Sequence, residues 1–133
     1  MLQQGEAMMP VSILVAEDDA MISSMITNTL RNKGFSVTEV ADGEQAIRMA
    51  DHNHYDLIIT DIMMPKIEGI EVISEIIRKA PDTKIIAITA EGSAGYTNFL
   101  TLAETVGASA SIQKPFSPTQ LMDTMKTVGI KKP

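Results

Sequence analysis

The chain has 133 residues, enough for one domain with a single buried core. Hydrophobic residues make up 44% and charged residues 21%, ordinary values for a globular protein, while a net charge of -6 would repel nucleic-acid phosphates and argues against direct nucleic-acid binding. The absence of cysteine excludes disulfides, thiolate catalysis and cysteine-ligated metals, and His52 and His54 alone are too few for a histidine metal cluster.

The opening Met1–Pro10 has no basic start, apolar run or cleavage signal, so no export signal is expected. Apolar runs such as Ile85–Ile88 are too short to cross a bilayer. The expectation is a cytoplasmic protein with no membrane partner, organised as an extension over 1–10, one domain over 11–128 and a tail over 129–133. No repeat or linker divides it, and the expectation is either a stand-alone domain or a fragment of a larger protein.

In chain order, Val11–Ala16 is an apolar run that predicts a first strand. Ile22, Met25, Ile26 and Leu30 recur at helical spacing, with Gly34 placed to close the helix. Ser36–Ala41 predicts the second strand, and a short helix covers roughly 43–50. Leu57–Thr60 is the third strand, followed by a helix striped with Ile70, Ile73, Ile76 and Ile77 and stopped by Pro81. Lys84–Thr89 is the fourth strand, and Phe99, Leu102, Ala103 and Val106 mark a fourth helix ending at Gly107. Ala110–Gln113 is the fifth strand, and Ser117–Pro118 reads as N-cap and first-turn proline of a fifth helix striped with Leu121, Met122, Met125 and Val128. The strand runs mostly lack polar alternation, as expected of strands buried on both faces. The ten methionines are expected mainly to fill the core, with Met63 and Met64 excepted as loop residues; His52 and His54 are expected to face solvent.

Five βα units in succession imply an α/β fold, a doubly wound parallel sheet with helices on both faces. Right-handed crossovers then require one reversal of strand order, and 2-1-3-4-5 is the common solution. Ligands of such sheets sit outside the carboxyl ends of the strands at that reversal. Strand 1 ends in Glu17-Asp18-Asp19, strand 3 in Asp61, strand 4 in Thr89 and strand 5 in Lys114-Pro115. Glu17, Asp18 and Asp61 should converge; without a cation they would repel, and hard oxygen ligands suit Mg²⁺. Such an ion also neutralises charge during phosphoryl transfer, for which Thr89 supplies a hydrogen bond and Lys114 a point charge. Taken singly, each residue has a plain structural use: Asp19 as a helix cap, Thr89 as a β-branched strand residue, Lys114-Pro115 as a turn and Asp61 as a loop aspartate. The weight lies in four strand ends supplying complementary groups to one crevice.

The segments Ile13–Asp19, Asp56–Pro65, Ile88–Ala90 and Lys114–Phe116 resemble the signature segments of response-regulator receiver domains, along nearly the whole chain from about Val11 to Val128. The resemblance implies a flavodoxin-like fold and a switch rather than a conventional enzyme, assisting only its own phosphorylation and dephosphorylation. It implies Asp61 as the phospho-acceptor, supplied by a sensor histidine kinase or a His-phosphotransfer protein, and an output partner that the residues do not name. Asp18 would bind Mg²⁺ directly, Glu17 largely through water, and the backbone carbonyl of Met63 would complete the ligands. Thr89 and Ala90 would contact the phosphoryl group, Lys114 would pair with it, and the Lys114–Pro115 bond would be cis.

Two departures bear on output. Many receivers carry Tyr or Phe three residues before the last-strand lysine, where this chain has Ser111. The segment Glu91–Gly95 also reads as a longer, glycine-containing loop, so the expected response lies there and at the start of the fourth helix, near Tyr96 and Phe99. Three rival readings stay open at this stage. An aspartyl-nucleophile phosphatase would want a second carboxylate where Met63 stands. An FMN-binding protein would want a hydroxyl-rich loop in place of Glu17-Asp18-Asp19. The third is a receiver-like interaction module that takes no phosphate.

Overall fold

The computed structural model describes residues 10–62, 69–89 and 107–130. The predicted fourth helix, the Glu91–Gly95 loop, Tyr96, Phe99, Met63, Met64 and Ala90 lie outside the described residues. The described elements are β1 (Ser12–Ala16), α1 (Ala20–Asn32), β2 (Ser36–Val40), α2 (Gly43–His52), β3 (Leu57–Asp61), α3 (Gly69–Lys79), β4 (Lys84–Thr89), β5 (Ala110–Gln113) and α4 (Pro118–Thr127). All strand pairs are parallel and the order is β2-β1-β3-β4-β5, the predicted one.

The pleat sorts the interior. In β1 and β3 the odd residues Ile13, Val15, Leu57 and Ile59, together with the even residues Ile86 and Ile88 of β4, pack with Ile26 and Leu30 of α1 and Leu121 and Met125 of α4. The even residues Leu14, Ala16 and Ile58, with Ile85 and Ala87, pack with Ala46 of α2 and Val72, Ile73 and Ile76 of α3. Successive side chains of a strand point to opposite faces, so an unbroken apolar run serves two helical layers at once. The core therefore lies on both faces of the three central strands.

Local signals set the element ends. Asp19 caps α1 by accepting from the Met21 and Ile22 N–H groups, and Gly34 follows that helix at φ 97°. Ser117 and Gln120 form a reciprocal capping box around Pro118 at the start of α4.

As the order 2-1-3-4-5 implies, β2 is an edge strand, with Ser36 and Glu39 exposed. Details of the helix stripes and the methionines differ from expectation. The α1 stripe also buries Ser23 and Thr27 and leaves Ile22 and Met25 half-buried; that of α3 includes Val72. Among the described methionines only Met125 is buried, and Met21, in the first turn of α1, is 83% exposed. His52 and His54 are exposed, as expected.

Candidate functional site

The carboxyl ends of β1, β3 and β4 meet the segment after β5. At the end of β1, the Glu17 N–H donates to the Val40 carbonyl of β2 at 3.1 Å, which anchors the turn. The Asp19 N–H donates to Glu17 Oε2 at 3.0 Å, while Asp19 Oδ1 takes the first free N–H groups of α1. Two of the three acidic residues are thus held by local hydrogen bonds, and Asp18 is left projecting into solvent. Asp61 ends β3 and is only 3% exposed; the next residue is fixed by the Ile62 N–H donating to the Ile88 carbonyl. Thr89 ends β4, is 2% exposed, and its Oγ1 has no hydrogen-bond partner among the described residues. The Lys114 N–H donates to the Thr89 carbonyl at 2.7 Å, continuing the β4–β5 pairing, and the Lys114–Pro115 bond is cis.

Lys114 Nζ donates to Asp61 Oδ2 at 2.7 Å and lies 3.0 Å from Glu17 Oε1. The second contact makes the buried Glu17 carboxylate a second ion-pair partner of the same ammonium. Burial, reinforced by the neighbouring Asp61 charge, pushes the Glu17 carboxyl up to about 7 against the lowering pull of the Asp19 N–H and Lys114. Burial works against the charged form of Lys114, but its bonds to Asp61 and Glu17 outweigh that and raise its pKa.

Oxygens of Glu17, Asp18 and Asp61 all lie within 4.8 Å of one another. One ammonium cannot balance three carboxylates, and a hard divalent cation is the natural complement of an all-oxygen donor set. The unsatisfied Thr89 Oγ1 supports the same reading, since a buried polar atom without a partner costs about 1–3 kcal/mol unless a ligand satisfies it. The residues fit a bound cation and an anionic oxygen beside it.

The sequence reading gathered Glu17, Asp18, Asp61, Thr89 and Lys114 here, and the structure brings all five together; Met63 and Ala90 fall outside the described residues. It missed the bond from Lys114 to Glu17. The available signal was glutamate rather than aspartate at position 17, whose extra methylene extends its reach.

Comparison with known proteins agrees with this geometry. The response regulator receiver domain family matches residues 13–126, and the chain belongs to that family. Its domain is thus of the phospho-accepting kind used in two-component signalling, in which an aspartate is phosphorylated with Mg²⁺. The chain is 34% identical over 125 residues to the transcriptional regulatory protein PdtaR of Mycobacterium tuberculosis, covering 92% of this chain and 58% of that protein. It spans about half the length of the curated relatives it matches. Among solved structures, the chemotaxis response regulator CheY4 of Vibrio cholerae superposes with a TM-score of 0.81 at 30% identity, over 90% of this chain and 98% of that one. The receiver domain of the sensor histidine kinase PA1611 from Pseudomonas aeruginosa, solved with a magnesium ion coordinated in its active-site cleft, gives 0.79 at 31% identity over 90% and 98%. Among the described residues, no helix is long and apolar enough to cross a membrane.

Proposed function

We propose that Asp61 accepts a phosphoryl group from the phosphohistidine of a sensor histidine kinase or His-phosphotransfer protein. The observation that carries this is the pairing of a nearly buried Asp61 with Lys114 at 2.7 Å, beside two further carboxylates and the unsatisfied Thr89 hydroxyl. Glu17, Asp18 and Asp61 would hold Mg²⁺, with the backbone carbonyl of Met63 carried over from the family pattern. When bound, the ion neutralises charge on the phosphoryl oxygens.

An Asp61 carboxylate oxygen forms the new P–O bond as the P–N bond to the donor histidine breaks, and the imidazole nitrogen keeps the electron pair. Lys114 then pairs with the phosphoryl group, and the Thr89 hydroxyl donates to one of its oxygens. Ala90 is assigned a backbone contact to the same group on the family pattern. The transfer is stoichiometric, one phosphoryl group per chain, so the domain acts as a switch and aids only its own phosphorylation and hydrolysis.

The test is labelling by a phosphohistidine donor or acetyl phosphate. Wild-type protein should take up one acid-labile phosphoryl group, and Asp61→Asn should take up none while keeping its circular dichroism. Undiminished labelling of the variant, or multiple turnover of a small phosphoester, would overturn the assignment.

A further inference from the structure

Among the described residues, β2 borders the sheet on one side and has β1 as its only strand neighbour. In a parallel ladder alternate residues bond to a given neighbour. The Ser36 N–H donates to the Val11 carbonyl and the Val40 carbonyl accepts from the Glu17 N–H, so the even residues of β2 face β1. Val37 and Glu39 must then direct their backbone N–H and carbonyl groups away from the sheet. Such a row is a template for another strand.

Arg31, in the last turn of α1, stands on this row. Its Nη2 donates to the Val37 carbonyl at 2.9 Å, and Nη1 lies 3.8 Å from Glu39 Oε2. Glu39 Oε1 in turn accepts from the buried Ser23 hydroxyl of α1 at 2.9 Å. One helix thus fixes both charges along the outer edge. The pair is about half exposed, and exposed pairs of this kind contribute little to stability. Its geometry has another consequence: the Val37 carbonyl, which an incoming strand would need, is already taken.

We propose that Arg31 guards this edge against antiparallel pairing with β2 of a second copy of the chain. The second copy is the fitting occupant because β2, Ser36-Val37-Thr38-Glu39-Val40, is self-complementary about Thr38. Val37 of one copy falls opposite Glu39 of the other, so their outward N–H and carbonyl groups match in both directions. In that arrangement the incoming Glu39 N–H needs the Val37 carbonyl that Arg31 holds. The inference is independent of the phosphorylation chemistry.

The experiment compares the 133-residue chain with Arg31→Ala and with Arg31→Ala/Glu39→Thr, by sedimentation over a concentration series and amide hydrogen exchange. Opening both copies' edges should tighten self-association by at least about tenfold in Arg31→Ala, and further in the double variant. The Val37 and Glu39 amides should gain protection on association. Unchanged association in both variants overturns the proposal, as does association that leaves those amides unprotected. The wild-type chain gives a second test that needs no variant to fold: its Val37 and Glu39 amides should exchange faster than those of Thr38 and Val40. Equal protection would mean that the edge is not open, and the proposal would fall.

Discussion

Lys114 and Asp61 are joined by a 2.7 Å ion pair across 53 residues of sequence, and the same ammonium reaches Glu17. In the metal-free domain this lysine is the internal counter-ion of two nearly buried carboxylates. Removing one partner of such a group leaves an uncompensated charge, which costs more than the intact pair contributes. Lys114→Met should therefore destabilise the metal-free protein by about 3 kcal/mol, the low end of the range for buried pairs because Lys114 retains some exposure. Denaturant unfolding in EDTA measures this. A variant as stable as wild type would show that the ion pair carries no weight in the fold.

Glu17 sets a pH dependence whose sign is fixed by its environment. Its carboxyl is pushed from 4.5 to about 7 in the folded, metal-free chain, first by burial and then by Asp61. A raised carboxyl favours the folded state fully below its unfolded value, and that contribution is lost as pH rises through the folded value. The EDTA-treated protein should thus lose stability between about pH 5 and pH 8, and the stabilisation given by Mg²⁺ should grow over that interval. Glu17→Gln should flatten the EDTA profile. Thermal melts at the two pH values, with and without Mg²⁺, decide it; an equal Mg²⁺ increment at both would sink the explanation.

The sequence made the central strands and the strand-end constellation legible for one reason. An uninterrupted Ile/Val run followed by an acidic or hydroxyl residue records both the burial of the strand and the location of the crevice. Leu57–Thr60 followed by Asp61, and Ile85–Ile88 followed by Thr89, both carry that pattern, and both are buried as expected. β2 was legible as a strand and, through the order 2-1-3-4-5, as an edge; its polar Ser36, Thr38 and Glu39 fit that place. The reach of Lys114 to Glu17 left only the longer side chain at position 17 as a trace in the sequence. It depends on side-chain length and on two distant backbone positions, which no periodicity encodes.

Within the acidic group the carboxylates are not equivalent. Glu17 is already engaged by the Asp19 N–H and Lys114, whereas Asp18 is exposed and within 4.8 Å of the other two. Asp18→Ala should weaken Mg²⁺ binding by roughly tenfold, about 1.4 kcal/mol, and Glu17→Ala by less. Titration calorimetry with Mg²⁺ alone reads both. A larger loss for Glu17→Ala would reverse the ranking.

The last prediction concerns the approach to β5, the strand that delivers Lys114. Gly107 has φ +119°, and a Cβ built there would collide with Ile77 Cδ1 on α3. Gly129, after α4, has φ +92° and nothing within 4 Å of such a Cβ. Both positions charge an L side chain for a left-handed backbone, roughly 1–2 kcal/mol, but only Gly107 adds a steric cost. The colliding atom is the tip of a half-buried isoleucine, which can escape by leaving its rotamer, so the added cost is about 1 kcal/mol. Gly107→Ala should therefore be less stable than Gly129→Ala by about that amount. Ile77→Val removes Cδ1 alone, so in the Gly107→Ala background it should cost less than it does in the wild type. Denaturant unfolding of the four variants completes the cycle. If Ile77→Val cost as much in both backgrounds, the close approach of Gly107 to α3 would not be what requires glycine there.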